Sequence, residues 1–205
     1  MAALKKKLNY TFIRDDLQNL MKETQEGVGR VKTIIQDLKD YARTNVATHY
    51  VASDIQVGLK STLNIARNQL KNRADVRLQL GHLPLVECAP SQIDQVFLNL
   101  IVNAAQAMPE GKMGLIDIRT DCDERQVWIE VQDNGPGIPP EILKKIFDPF
   151  FTTKDPGTGT GLGLSVSQNI IQQHGGKLEV SSTVGVGTTF KITLPMKRPV
   201  AKGSA

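Results

Sequence analysis

The sequence predicts an α+β fold in two layers, with helices on one face of a largely antiparallel sheet and a long helix in front. Three observations carry this. The first 45 residues contain no proline and repeat apolar residues at helical spacing. After them, stretches of helical period alternate with pairs of segments of period two, each pair split by a short turn. Finally, 205 residues with 40% hydrophobic and 22% charged content suffice to bury the core of one ordinary domain plus an extra element.

The opening stripe runs through Ile13, Leu17, Leu20, Val28, Val31, Ile34, Ile35, Leu38 and Tyr41. Gly27 and Gly29 interrupt it, each costing about 1 kcal/mol relative to alanine. A solitary helix with one apolar stripe needs a partner, either its own domain or a second copy. Residues 44–49 read as a hinge, and Asp54 as the N-cap of a helix reaching about residue 71. Short apolar segments at 76–80 and 85–88 flank Pro84. Pro90 and Ser91 open a helix over 92–108 that Pro109, Glu110 and Gly111 stop. Segments 114–120 and 126–132 alternate as a hairpin around a polar turn at 121–125. Residues 133–161 are loop-like, crowded with glycine and proline. A helix over 162–174 then ends at Gly175 and Gly176, and strands 177–182 and 188–195 close the chain around a turn at 183–187.

The net charge of +4 gathers at the ends, in Lys5, Lys6 and Lys7 and in Lys197, Arg198 and Lys202. With 5% aromatic residues and no basic stripe among them, this argues against nucleic-acid binding. Cys88 and Cys122 lie far apart in apolar, strand-like surroundings and are expected as buried free thiols. His49, His82 and His174 show no metal-ligand spacing, and no Gly-x-Ser-x-Gly elbow occurs. No window is apolar enough to span a membrane and no signal peptide opens the chain, so a cytoplasmic location is expected.

Four clusters carry chemistry. Asn99 and Asn103 stand four apart, on one face of a helix otherwise apolar at Ile93, Val96, Phe97, Leu100 and Ile101. An amide oxygen suits Mg²⁺ that also holds phosphate oxygens, although the pair equally fits a role bonding nearby backbone. Asp133 ends a strand and is followed by Asn134, Gly135, Pro136 and Gly137; the carboxylate can accept from an exocyclic amino group and the glycines admit a flat ring, while the same run is also a good turn. Phe147, Phe150 and Phe151 in a loop-like stretch must bury against something, and Lys154 beyond them can reach phosphates or simply face water. Gly157, Gly159, Gly161 and Gly163 lead into a helix N-terminus, an anion cradle without the lysine of a P-loop or the spacing of a dinucleotide fingerprint.

Asn-box, Asp-x-Gly-x-Gly, phenylalanine-rich box and Gly-x-Gly-x-Gly, in that order, resemble the ATP-binding domain of sensor histidine kinases, in the superfamily that includes DNA gyrase, the ninety-kilodalton heat-shock chaperone and MutL (the Bergerat fold). The likeness covers about residues 50–195. It implies a mixed, mostly antiparallel sheet covered by three helices, with ATP beneath a mobile lid. By the same resemblance Asn103 is the Mg²⁺ ligand, Asp133 reads the adenine amino group, Gly135 and Gly137 make room for the base and Thr188 supports it through water. Gly159, Gly161 and Gly163 cradle phosphates, Phe147 and Phe150 anchor the lid, and Ile138, Thr153, Lys154, Thr160 and Leu162 join the nucleotide shell.

Hydrolytic relatives place a glutamate where Asn99 stands. An amide cannot act as a general base, which favours transfer to a protein side chain over hydrolysis. Many relatives carry a basic residue at the position of Gln106, and the ending Ala-Gln-Ala-Met resembles the nitrogen-regulation type of kinase. Residues 31–43 resemble the second helix of the dimerisation and phosphoacceptor hairpin, whose first helix, with its acceptor histidine, has no counterpart here. The expected organisation is therefore a partial hairpin helix over 1–47, a catalytic domain over 48–196 and a flexible tail over 197–205. The implied partners are ATP, a phosphoacceptor hairpin, a response regulator receiver domain and a second copy through the N-terminal helix. The full-length protein could be membrane-attached through segments outside this sequence. A nucleotide-gated interaction module and a true ATPase are the alternatives within the superfamily.

Overall fold

The computed structural model describes residues 10–43, 49–154 and 159–197. Most of the expected hinge, Gly157 of the glycine run, Lys5, Lys6, Lys7 and the tail beyond residue 197 lie outside the described residues. Helix α1 spans Tyr10–Arg43 without a break at Gly27 or Gly29; a methyl group at either glycine would meet nothing within 4 Å. Its stripe is exposed at Ile13, Leu17, Leu20, Val28, Val31 and Ile35.

The order continues β1 (Val51–Ser53), α2 (Ile55–Leu70), β2 (Ala74–Leu80), β3 (Val86–Cys88), α3 (Pro90–Ala107), β4 (Gly114–Cys122), β5 (Gln126–Asp133), α4 (Pro140–Leu143), α5 (Gly163–Gln173), β6 (Lys177–Thr183) and β7 (Gly187–Pro195). Five strands form one sheet in the order β2-β4-β5-β7-β6, and β1 pairs with β3 apart from it. The β2–β4 pair is parallel and the others antiparallel, so the sheet is mixed.

Alternation sets its faces. Val127, Ile129, Val131 and Asp133 of β5 are buried, as are Thr188, Phe190, Ile192 and Leu194 of β7. Against this face lies α3, which buries Ile93, Val96, Phe97, Leu100 and Ile101, with α2 and α5 packed on either side of it. Asp54 caps α2 as expected, its carboxylate accepting from Gln56 N at 2.9 Å.

Two small elements escape the sequence: β1, of three residues, and α4, a single turn begun by Pro140. One expectation is corrected: Cys88 is fully buried, but Cys122 is half-exposed at the β4–β5 turn. His174 is buried and structural. Its Nδ1 meets Ile170 O at 2.7 Å and its Nε2 accepts from Ala89 N at 3.0 Å, which ties the end of α5 to the start of α3.

Candidate functional site

The inward row of β5 ends in a carboxylate rather than an aliphatic side chain, because Asp133 keeps the strand's alternation and so faces the helices. It is 4% exposed. Burial pushes its carboxyl above the ordinary aspartate range, against the pull of hydrogen bonds from the backbone of Gly135 and Thr188. Gly135 N donates to Asp133 Oδ1 at 2.8 Å, and a methyl group at Gly135 would sit 2.8 Å from that same oxygen. Thr188 lies directly opposite Asp133 in the β5–β7 register. The Thr188 Oγ1 and Ser182 Oγ atoms are 2.9 Å apart, and Ser182 Oγ accepts from Ile138 N at 2.7 Å. Gly137 adopts φ +74°, and a methyl group there would strike Thr183 O at 2.3 Å, so only glycine lets this loop lie on the β6–β7 turn.

The second wall is the polar edge of α3. Asn99 Nδ2 donates to Gly163 O at 3.1 Å and to Ser167 Oγ at 3.2 Å, fixing the first turn of α5 to α3. No side chain caps α5 at Leu162, so its first amides stay available as donors beside the cavity. One turn along α3 from Asn99, Asn103 presents Oδ1 to the Lys154 ammonium at 3.4 Å, and Gln106 Oε1 accepts from the same ammonium. Two neutral, hard oxygens thus already receive a cation. Among the described residues no three His, Cys, Asp or Glu side chains converge on a metal position. A divalent ion fits here as one that completes its shell with phosphate oxygens and water.

These walls enclose a cavity of about 990 Å³, a size suited to a nucleotide. Asn99, Asn103, Asp133, Gly137, Ile138, Thr153, Lys154, Gly159, Thr160, Gly161, Leu162, Gly163 and Thr188 all line it. Gly135, Phe147 and Phe150 do not. Gly135 acts one step back, by orienting Asp133. Phe147 packs on the core, and Phe150 is 66% exposed at φ +68°, contrary to the expectation that all three phenylalanines bury. Backbone pairing explains this: Phe150 N donates to Gly161 O at 3.0 Å, which turns the Phe150 side chain outward and sends Phe151 into the cavity wall. A methyl group at Gly161 would lie 2.4 Å from Phe150 C, so the glycine run and the phenylalanine segment close on each other only without a Cβ there. Ser182, Phe151 and Gln106 complete the site. Ser182 carries no motif, Phe151 is indistinguishable in sequence from its neighbours, and Gln106 stands out in the sequence only as a departure from the family pattern.

The raised carboxyl of Asp133 has consequences of opposite sign. Protonated Asp133 contributes stability that is fully present below the pKa of the unfolded chain and lost as pH rises through the higher folded value. The strong, charge-assisted hydrogen bond from a ligand's amino group needs the ionised form. If Asp133 reads the adenine amino group, as the resemblance implies, lowering the pH through a range above that of an ordinary aspartate should therefore weaken adenosine-nucleotide affinity while this residue's stability contribution grows. Calorimetric titrations across pH check this; an affinity that falls only where an exposed aspartate titrates contradicts it.

Residues 88–198 match the family described as histidine kinase-, DNA gyrase B-, and HSP90-like ATPase. The sensor kinase CckA of Brucella abortus is 38% identical over 198 residues, which cover 88% of this chain and 20% of that protein. The catalytic domain of histidine kinase ThkA superposes with a TM-score of 0.66 at 31% identity, covering 74% of this chain and 98% of that one. ThkA solved in complex with the response regulator protein TrrA aligns with a TM-score of 0.68 at 28% identity, over 83% of this chain and 48% of that one. The chain spans between 20% and 38% of the length of the curated relatives it is compared with.

Proposed function

The chain belongs to the histidine kinase-, DNA gyrase B- and HSP90-like ATPase family, and from that premise we propose that it is the ATP-binding catalytic core of a two-component sensor histidine kinase. Its reaction is transfer of the ATP γ-phosphate to a histidine on a dimerisation hairpin, from which a response regulator aspartate receives it. One observation supports this most: the Asp133 carboxylate, the Asn103 amide oxygen and the N-terminus of α5 converge on a single cavity.

In this reading Asp133 accepts from the adenine amino group, Thr188 and Ile138 hold the base, and the amides of Gly161 to Leu164 receive phosphate oxygens. Asn103 would hold Mg²⁺ together with the phosphates, and the ion would supply charge neutralisation at the transferring group. Asn99 fixes the position of α5 relative to Asn103 and offers no base to a water molecule, so the site positions a phosphoryl group without promoting its hydrolysis. Lys154 supplies the mobile positive charge beside the phosphates. The exposed stripe of α1 serves as the contact with a second copy, and residues 1–47 and 48–196 divide as hairpin helix and catalytic domain.

The test mixes the chain with labelled ATP, Mg²⁺ and a separate hairpin bearing the histidine. Acid-labile, base-stable label on the hairpin is expected, and Asn103→Ala should lower the rate at least about a hundredfold, the scale of losing one electrostatic contact to the transferring group. Binding of ATP without any labelled acceptor would favour a nucleotide-gated interaction module instead.

A further inference from the structure

Lys154 is a half-buried ammonium, and among the described residues its hydrogen-bond partners are two neutral amide oxygens rather than a carboxylate. Those oxygens belong to Asn103 and Gln106, three apart on α3 and therefore on one face, so a single cation can bridge them. Asn103 Oδ1 is the very atom to which the proposed function assigns the metal. A divalent ion ligated there would use the lone pairs that now face the ammonium at 3.4 Å. Two like charges cannot share that position.

We propose that Lys154 is a built-in alternate cation for the metal at Asn103. The ammonium and the divalent ion occupy the Asn103 oxygen by turns. With metal absent, Lys154 stays on Asn103 and meets the phosphates itself. With metal present, it leaves Asn103 and is retained by Gln106 alone. The partner chemistry suits such an exchange, because an amide oxygen holds an ammonium weakly enough to release it, whereas a carboxylate would trap it. Gly159 supports the arrangement: a methyl group there would lie 3.0 Å from Lys154 Cδ and 2.9 Å from Thr152 Oγ1, crowding the path of the side chain. The inference rests on the nucleotide reading of this cavity.

A thermodynamic cycle separates it from an ordinary phosphate contact. Binding of the non-hydrolysable β,γ-imido analogue of ATP is measured by calorimetry for wild type, Lys154→Met and Lys154→Arg, with Mg²⁺ and with EDTA. The quantity read is the metal dependence, the ratio of Kd in EDTA to Kd in Mg²⁺. Lys154→Met should raise this ratio at least about fivefold over wild type, the lower end of ordinary couplings between sites, and Lys154→Arg should stay near wild type. Equal weakening of Lys154→Met in both media, leaving the ratio unchanged, overturns the alternate-cation role and leaves the nucleotide reading intact. Absence of analogue binding to wild type in Mg²⁺ overturns the nucleotide reading, and this inference with it.

Discussion

Replacing Asp133 with alanine should lower ATP affinity by about 1.5–3 kcal/mol, a factor between ten and roughly a hundred and fifty. A charge-assisted hydrogen bond to the adenine amino group disappears, and the backbone of Gly135 and Thr188 loses its acceptor. Inosine triphosphate, which lacks the amino group, separates the two losses: if the bond to the amino group dominates, wild type and variant should bind it with similar, weak affinity. Calorimetry showing undiminished ATP binding in Asp133→Ala would sink the assignment of the base site. Because burial already opposes ionisation of Asp133, the substitution removes a destabilising charge, and the variant should remain folded.

Phe97→Ala should act on the other face of the same central helix and destabilise the domain by about 3–5 kcal/mol. Phe97 is completely buried, on the side of α3 turned away from its amides. That loss is a large fraction of the 5–15 kcal/mol by which ordinary domains are stable. Urea unfolding followed by Trp128 fluorescence would measure it. A midpoint shift equivalent to less than about 1 kcal/mol would show that the core closes around the missing ring.

The two substitutions mark what was legible beforehand. Helix α3 could be read from its apolar period and Pro90, and the amides at Asn99 and Asn103 from a spacing of four on that helix. Asp133 could be read because a two-residue alternation fixes which way the end of β5 points. Each of these depends on neighbours in sequence. The parallel pairing of β2 with β4 was not legible, since it joins segments separated by α3 and leaves no local turn signal. Strand β1 has only three residues, too few for a period to register.

Within the site, Phe150 and Phe151 are chemically identical to any pattern, and only the hydrogen bond from Phe150 N to Gly161 O decides which faces the cavity. Asn99 shows the same limit. Its residue type excluded a general base, but its bond to Gly163, sixty-four positions away, belongs to the tertiary structure.

Helices α3 and α5 are fastened twice, near one end by Asn99 to Gly163 and Ser167, at the other by His174 to Ala89. Held at two points, they form a single rigid jaw. The spacing between the Asn103 oxygen and the first amides of α5 is consequently a property of the folded domain and not of its ligand. On the proposed reading, a triphosphate arriving there would find the α5 donors and the Asn103 oxygen already fixed relative to each other, with their ordering entropy removed during folding rather than on binding. On that reading the opposite wall, which bears Lys154, is the side left to adjust to what binds.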